Sequence, residues 1–330
     1  MPCKMEGFIS MAELRHIRED EFVGHFSMRD FVGACDRAFV LYGKGEIVNP
    51  PREERVEKRE RLDYFRLDMP AEQPGLYRMR KIIEEYSDVS AGNLSRREAY
   101  IGLEDLRVGR EVRLDAGYIT DMRTGAAGAL ALRYTSAKPV RRIGVVGTGR
   151  IARNIALACD TVFDLEELRF TSRKEQSRQN FIEAIGPQVS APLYMASSIA
   201  ECLAGVDAVL MAVPTPQPIL QVADLAAIDN IVLIAGDSRT RQVASEVLEE
   251  RQVIVDILAQ AENSGEFRWA RAEGTSGRIA LARGEDGAVL TIGDIACGRV
   301  SKGRSAVYLT GLGAQDLCAA VMVYEKVMME

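Results

Sequence analysis

The residues with the clearest chemical signature form the turn Gly147-Thr148-Gly149-Arg150-Ile151-Ala152, which has the spacing G-x-G-x-x-A. The first glycine permits a tight turn, the second lets the backbone approach a pyrophosphate, and the small Ala152 allows helix and strand to pack closely. A helix that begins here offers free N–H groups and about half a positive charge to phosphates. The motif therefore predicts a dinucleotide-binding site. The alternative is a tight turn in an α/β domain that binds no ligand.

The end of the following apolar run indicates which dinucleotide would bind. NAD-binding proteins usually place Asp or Glu there, about twenty residues after the glycines, to hold the ribose 2′-hydroxyl. Here the chain has Thr171-Ser172-Arg173-Lys174, with two hydroxyls and two cations but no acid. Arginine offers a planar fork and lysine a point charge to a 2′-phosphate. We therefore expect NADP(H) to be preferred, with NAD(H) possible. The alternative is that Arg173 and Lys174 are solvated loop charges.

Two further segments follow apolar strands and would reach the edge of a parallel sheet, where ligands bind. Val213-Pro214-Thr215 ends one strand, and its backbone should border the nicotinamide ribose. Gly236-Asp237-Ser238 follows the next strand, and Asp237 is either a helix cap or an acid/base group tuned by burial and neighbouring cations. Because the chain has only two histidines, both near its N-terminus, a carboxyl group is the natural proton carrier.

Composition argues against several classes of function. The 330 residues carry a formal net charge of -6, so no domain-wide basic surface is expected to neutralise nucleic acid. No apolar run has the length of a membrane span, and the first residues lack the apolar core of a signal peptide. The six cysteines form no C-x-x-C pair. We expect a cytoplasmic protein with reduced thiols, no metal, and neither a nucleic acid nor a membrane as partner.

Helices and strands must position these residues, and the apolar pattern divides them into two groups. The first group has a helix over residues 11–43, capped near Ser27, and antiparallel strands at 77–83, 99–103 and 111–114. A helix from residue 118 is rich in small residues and can therefore lie very close to another backbone or a cofactor. The second group alternates strands with helices, which is typical of a doubly wound parallel sheet. Its strands are predicted at residues 142–146, 168–172, 207–213, 231–235 and 253–256, and a final helix at 311–328 is expected to return to the first group.

Several motifs together resemble one protein family. They are Asn49-Pro50-Pro51-Arg52, Asp68-Met69-Pro70, Lys81 followed by Ala91-Gly92-Asn93-Leu94, Thr120-Asp121-Met122-Arg123-Thr124, Gly147-Thr148-Gly149, Gly236-Asp237-Ser238, and Gly311-Leu312-Gly313 with Asp316. Over nearly its whole length the chain resembles the ornithine cyclodeaminase/μ-crystallin family. The resemblance implies an α/β chain with a doubly wound Rossmann dinucleotide-binding domain at residues 123–305. It also implies a discontinuous α+β substrate-binding and dimerisation domain at residues 1–122 and 306–330, and a homodimer.

The resemblance also implies roles for single side chains. Arg52 and Lys81 would hold the substrate carboxylate, and Lys81 would also make a carbonyl or imine more electrophilic. Arg123 would contact cofactor phosphate and substrate, and Asp237 would be the catalytic acid/base at the amine nitrogen. Thr310 stands where family members place a substrate-facing residue. The remaining implied cofactor contacts are Thr124, Gly236 and the basic Arg241.

The implied activity is reduction of a small 2-imino acid or cyclic ketimine, or oxidation of the matching amino acid. Family cyclodeaminases carry Glu two residues before the Met-Pro pair, whereas this chain has Leu67 there. A redox-neutral cyclodeaminase (an ammonia-lyase with bound NAD) is therefore the second hypothesis. The third is a non-catalytic, NADPH-dependent small-ligand-binding protein. Retention of Arg52, Lys81 and Asp237 together argues against this third hypothesis, because a pure binder has no need for the acid.

Overall fold

The computed structural model describes residues 14–58, 62–88, 94–235, 240–299 and 304–329, which form two β-sheets with helices packed around them. The first sheet has six strands in the order β1-β6-β5-β4-β3-β2. Its edge strand β1 is parallel to β6, and the other neighbours are antiparallel. The strands are β1 (Arg15–Ile17), β2 (Glu53–Glu57), β3 (Leu62–Gln73), β4 (Tyr77–Asp88), β5 (Leu94–Asp105) and β6 (Arg110–Asp115).

The second sheet has seven parallel strands in the order β12-β13-β11-β10-β7-β8-β9. The chain winds outward from β7 in one direction and then from β10 in the other. This reversal is the topological switch point of a doubly wound sheet, so the predicted fold class is confirmed. The strands are β7 (Arg142–Val146), β8 (Glu167–Thr171), β9 (Leu193–Met195), β10 (Ala208–Met211), β11 (Asn230–Ile234), β12 (Gln252–Val255) and β13 (Ser305–Leu309).

Helices cover both faces of the parallel sheet and one face of the mixed sheet. None of them, within the part of the chain that the structure describes, combines the length and apolar character needed to cross a membrane. The helices are α1 (Met28–Gly43), α2 (Gly117–Thr135), α3 (Arg150–Val162), α4 (Glu175–Ile185), α5 (Ile199–Leu203), α6 (Ser245–Glu249), α7 (Leu258–Ala261), α8 (Gly265–Ala272), α9 (Ile292–Ala296) and α10 (Gly313–Met329).

The central parallel strands are almost entirely apolar because both faces of the sheet are buried. Leu210 and Val232 belong to the cluster shared with the mixed sheet, whereas Val209 and Ile231 belong to a second cluster on the opposite face. All four side chains are completely buried. Burial of each such side chain contributes about 1.5–3 kcal/mol. The sheet is therefore a rigid platform for the loops at its ends.

The long helix α2 packs on α3 and also contacts α1, α10 and strand β11 of the parallel sheet. A Cβ atom added to Gly125 would lie 2.3 Å from the backbone carbonyl carbon of Asn154, so the two helices touch backbone to backbone. The prediction that the small-residue helix lies close to another backbone is confirmed. This contact holds the helix that carries Arg123 directly against the helix of the glycine-rich turn.

The predicted helix over residues 11–43 is wrong for its described first part. Arg15–Ile17 forms β1, which pairs with Val112 to Leu114 of β6. Edge pairing with a distant strand overrides the local pattern there, because it buries Ile17. Ser27 caps α1 as predicted, and its backbone N–H donates to the Asp30 carboxylate at 2.7 Å.

The predicted return of the C-terminal helix is confirmed, since α10 packs on α1 and on strands β3 and β4. The domain division remains a prediction. Helix α2 runs through residue 123 without a break, and β13 pairs with β11 and β12 within the parallel sheet. The chain therefore leaves that sheet after Leu309, a few residues later than the predicted boundary at 306.

Candidate functional site

The loops that leave the carboxyl ends of five neighbouring parallel strands meet at one edge of the second sheet. They begin at Gly147, Ala212, Ala235, Asp256 and Thr310, after β7, β10, β11, β12 and β13 respectively. Ligands bind at this edge in open α/β sheets. The topology therefore brings together most segments that the sequence singled out.

The glycine-rich turn has the geometry that its sequence predicts. Gly147 has φ +119°, and a Cβ atom there would lie 2.8 Å from the Ala212 carbonyl oxygen, so a side chain is excluded. Gly149 immediately precedes α3, and a Cβ atom there would meet nothing within 4 Å. Open space therefore lies over the N-terminus of a thirteen-residue helix. A pyrophosphate fits such a place, because free N–H groups and the helix dipole converge there.

The turn after β8 supplies hydroxyls and cations beside the glycines. The Thr148 hydroxyl donates to Ser172 Oγ at 2.9 Å, and Arg178 donates to the Ser172 carbonyl oxygen. Arg173 and Lys174 are exposed. No side-chain partner for either cation is found among the described residues. This arrangement matches the donor set that a 2′-phosphate requires.

A buried ion cluster lies where the resemblance places the substrate. Lys81 on β4 is completely buried, and its Nζ lies 2.6 Å from Asp316 Oδ2 of α10. Arg123 on α2 donates from Nε to Asp316 Oδ1 at 3.0 Å and from Nη1 to Gln315 Oε1 at 3.0 Å. One carboxylate thus faces two buried cations from separate parts of the chain. Two cations against one anion leave a positive excess for a substrate carboxylate.

Burial, and then the Arg123 guanidinium, lower the pKa of Lys81 from 10.5 to about 7, while the Asp316 carboxylate acts in the opposite direction. A lysine with such a pKa exchanges its proton near neutrality. Lys81 can therefore both attract a carboxylate and donate or accept a proton.

Arg52 reaches the same edge from the Pro-Pro segment before β2. Its side chain is 5% exposed, with Nη2 2.7 Å from Glu54, and Nη1 donates to the Thr310 carbonyl oxygen. Asn49 of the same motif accepts a bond from the Ala314 N–H at 2.6 Å, at the start of α10. The Asn-Pro-Pro-Arg motif is therefore explained by two contacts with the segment around Thr310 and α10.

Thr310 is held by a fully buried carboxylate rather than being free. Its N–H and hydroxyl donate to Asp256 at 2.7 and 2.6 Å, and the Gly311 N–H donates to the same group at 2.6 Å. Burial raises the pKa of Asp256, and these hydrogen bonds oppose the rise. The Thr310 hydroxyl also accepts a bond from Gln260 Nε2 at 2.7 Å.

Three predicted cofactor residues have protein partners in the structure. Arg150 lies 2.9 Å from Asp121, and the Thr124 hydroxyl donates to a backbone carbonyl one turn earlier in α2. Arg241 lies 3.1 Å from Glu273 and stacks over the ring of Trp269, with its guanidinium 5.2 Å from the ring centre. A cofactor contact by these residues remains a prediction.

The predicted catalytic Asp237, together with Gly236, lies outside the described residues. The N–H of Ala235, which precedes them, donates to the Leu309 carbonyl oxygen at 2.8 Å. Ala235, the last described residue before them, therefore lies beside the end of β13. The Val213 N–H donates to Gln242 Oε1 at 3.0 Å, which orients the predicted rim segment Val213-Pro214.

Sequence reasoning missed residues that support the site. The resemblance includes Asp316 but implies no role for it. The sequence predicts no role for Asp256, Gln260, Gln315 or Gln242. The position of Asp256 could have indicated a site residue, because it directly follows an apolar strand of the parallel sheet. The glutamines carry no such signal, since their partners are distant in the chain.

Comparison with known proteins agrees with this geometry. A model of the ornithine cyclodeaminase/mu-crystallin family matches residues 16–330. The alanine dehydrogenase of Archaeoglobus fulgidus is 27% identical over 320 residues, 94% of either chain. A solved archaeal alanine dehydrogenase dimer with bound NAD is 25% identical, with a TM-score of 0.79 and 96% of either chain covered. The Δ1-pyrroline-2-carboxylate reductase of Thermococcus litoralis, solved with NADH and L-proline, has the same fold at 21% identity, with a TM-score of 0.82 over 96% of this chain and 98% of that one.

Proposed function

The chain belongs to the ornithine cyclodeaminase/mu-crystallin family, as its motifs predicted, and we propose that it is an NAD(P)H-dependent oxidoreductase. The proposed reaction is reduction of a small 2-imino acid or cyclic ketimine, or oxidation of the matching amino acid. The alanine dehydrogenase relative supports an amino acid or its imine as substrate, because it matches 94% of this chain.

The observation that supports this proposal most strongly is the buried cluster of Lys81, Arg123 and Asp316. Burying charge is costly unless it is paired, and when Lys81 is protonated the cluster holds two cations against one carboxylate, an excess that an anionic ligand would balance. Two donor atoms of Arg123 bond to Asp316 and Gln315, while no acceptor among the described residues contacts Nη2. Arg52, which bonds to Thr310 and is ion-paired with Glu54, would join these donors in a clamp for a substrate carboxylate. Charge-assisted bonds of this kind contribute about 1.5–3 kcal/mol each.

The reaction needs a proton carrier at the substrate nitrogen and a cation that polarises the imine or carbonyl. Lys81, with its pKa lowered to about 7, can supply that cation while it is protonated. We propose that Asp237 carries the proton at the nitrogen and that Lys81 polarises the imine or carbonyl. A bound nicotinamide would supply or accept the hydride at the carbon next to the carboxylate.

The chain's own residues fit a dinucleotide at the glycine-rich turn. Gly147 and Gly149 leave room for the pyrophosphate, and α3 directs its N-terminus towards it. Ser172, Arg173 and Lys174 would hold a 2′-phosphate, so NADP(H) is the preferred cofactor. NAD(H) is the alternative, since the archaeal alanine dehydrogenase dimer was solved with NAD.

We further propose that the protein acts as a cytoplasmic homodimer with the domain organisation predicted from its sequence. The archaeal relative is a dimer. In this chain the apolar Val48 and Val56 are more than half exposed on and beside the edge strand β2. Light scattering coupled to size exclusion would give the mass of a dimer, and a monomer at all concentrations would contradict this part.

The experiment that tests the function follows NADPH absorbance with pyruvate plus ammonium and, separately, with Δ1-pyrroline-2-carboxylate. Wild type should oxidise NADPH with pyruvate plus ammonium, with Δ1-pyrroline-2-carboxylate, or with both. Asp237→Asn should lose turnover by orders of magnitude while still binding NADPH. Ammonia release from ornithine or lysine without net change in NADPH would instead identify a cyclodeaminase. Ligand binding without turnover in both proteins would identify a binding protein.

A further inference from the structure

A single buried side-chain amide connects Arg52 to the Thr310–Gly311 turn, which packs against Arg123. Gln260 lies in the one-turn helix α7 and is 4% exposed. Its Nε2 donates to the Thr310 hydroxyl at 2.7 Å and to the Gly311 carbonyl oxygen at 3.0 Å. Its Oε1 accepts the backbone N–H of Arg52 at 2.8 Å. The side chain thus links the segment before β2 to the turn after β13.

The turn on which Gln260 rests is itself fixed. Asp256 accepts four hydrogen bonds, from the Thr310 N–H and hydroxyl, from the Gly311 N–H and from the Ile257 N–H. Gly311 has φ +93°, and a Cβ atom there would lie 3.0 Å from Nη1 of Arg123. The conformation of this turn therefore sets the space available to the Arg123 guanidinium.

Arg52 meets the same turn twice, once through its side chain and once through Gln260. The side-chain Nη1 donates to the Thr310 carbonyl oxygen, while the backbone N–H bonds to the glutamine. Pro50 and Pro51 precede Arg52 and have fixed φ angles, which restricts the chain that leads to it. Loss of the amide would leave Arg52 held only by its side-chain contacts with Thr310 and Glu54, without the backbone contact that aligns it with the turn beside Arg123.

We propose that Gln260 is a positioning residue that sets Arg52 against Thr310 and Arg123, and so fixes the spacing of the substrate carboxylate clamp. This inference rests on the proposed function, because it takes Arg52 and Arg123 as carboxylate ligands. Gln260 acts through Arg52 and the Thr310–Gly311 turn, without touching the reacting atoms. A glutamine suits this place because it offers one acceptor and two donors, which match one N–H and two oxygens.

The kinetic test uses Gln260→Met, which keeps the length of the side chain and removes its hydrogen bonds. Misplacement of a clamp by about 1 Å can cost roughly 100-fold in rate. We expect KM for the 2-imino acid to rise by roughly 10- to 100-fold, with NADPH affinity unchanged within error. Asn230→Leu is the matched control, since Asn230 is also a buried amide. It lies at the amino end of β11, whereas the proposed site lies beyond the carboxyl ends of the strands. This variant should lower stability but leave KM unchanged.

A double-mutant cycle shows whether the amide acts through Arg52. If it does, Gln260→Met should cost little in an Arg52→Met background, because the group being positioned is already gone. Losses that multiply, or a KM equal to that of wild type in Gln260→Met, would overturn the proposal. The substrates are pyruvate with ammonium and Δ1-pyrroline-2-carboxylate, each with NADPH.

A second readout requires no turnover and therefore separates this inference from the proposed function. Hydrogen exchange of peptides that cover residues 48–54 reports the Arg52 N–H, whose acceptor is Gln260. Exchange there should accelerate in Gln260→Met and remain slow in Asn230→Leu. Unchanged exchange in Gln260→Met would refute the positioning role. If wild type turns over neither substrate, the proposed function fails, and the exchange result still decides whether Gln260 holds Arg52.

Discussion

Replacing Lys81 by Met should make the protein more stable near neutral pH and abolish its activity. The pKa of Lys81 falls from 10.5 to about 7 on folding, through burial and the Arg123 guanidinium, with Asp316 opposing and Arg52 assisting the fall. At 1.36 kcal/mol per pKa unit, the protonated lysine destabilises the fold by an amount on the order of 5 kcal/mol. Met removes this cost but also removes an ion-pair partner of Asp316, which remains bonded to Arg123. Removing one partner of a buried ion pair is itself destabilising, but Arg123 still bonds to Asp316, so we expect a net gain that is smaller than the cost that Met removes.

The sign of the pH dependence follows from proton binding. Between about pH 7 and about pH 10.5 the unfolded chain binds a proton at Lys81 that the folded chain does not, so wild-type stability rises with pH through this window. Below about pH 7 the destabilisation is fully present. The advantage of Lys81→Met should therefore be largest at and below about pH 7 and fade towards pH 10.

Urea unfolding at a series of pH values, followed by the fluorescence of Trp269, the single tryptophan, measures this difference directly. Taking the variant minus wild type cancels the titration of other groups. A variant that is less stable than wild type by the same amount at every pH would refute the reasoning. So would a wild type whose stability shows no additional rise between pH 7 and pH 10.

Three further outcomes are expected. If protonated Lys81 polarises the substrate, kcat for imine reduction should fall as pH rises above about 7. The kcat for amino-acid oxidation should rise over the same range. Values of kcat that stay constant from pH 6 to 9 would contradict this. Replacing Arg173 and Lys174 by Ala should weaken NADPH binding by roughly tenfold or more and leave NADH binding nearly unchanged, as measured by fluorescence titration; equal losses for both cofactors would count against a 2′-phosphate site. Leu67 is 8% exposed and lies on the same face of the mixed sheet as Lys81. The carboxylate introduced by Leu67→Glu should compete with the substrate carboxylate and lower kcat/KM by more than about tenfold for substrates with uncharged side chains. An unchanged kcat/KM would place Leu67 away from the substrate.

The glycine-rich turn and five of the seven parallel strands could be predicted because their signals are local, whereas β9 and β13 have no predicted counterpart. Each of these signals spans about thirty residues or fewer. They are the apolar runs, the G-x-G-x-x-A spacing and the lack of an acid after β8. The strand at Arg15–Ile17 could not be predicted, because its partner strand is almost a hundred residues away in the chain.

The same limit applies to the site. The resemblance named Arg52, Lys81 and Arg123, but the groups that hold them come from remote segments. Asp316 is 235 residues from Lys81, and Gln260 is 208 residues from Arg52. Hydrogen-bond partners at such separations leave no periodicity in a single sequence, so only the folded chain shows them.

The central claim is that a nicotinamide dinucleotide exchanges a hydride with a carboxylate-bearing substrate beside Lys81 and Arg123. The most direct measurement uses NADPH deuterated at the transferable position of the nicotinamide, with mass spectrometry of the amino acid formed from pyruvate and ammonium or from Δ1-pyrroline-2-carboxylate. The product should carry one deuterium on the carbon next to its carboxylate. An unlabelled product, or no product from either substrate, would contradict the claim.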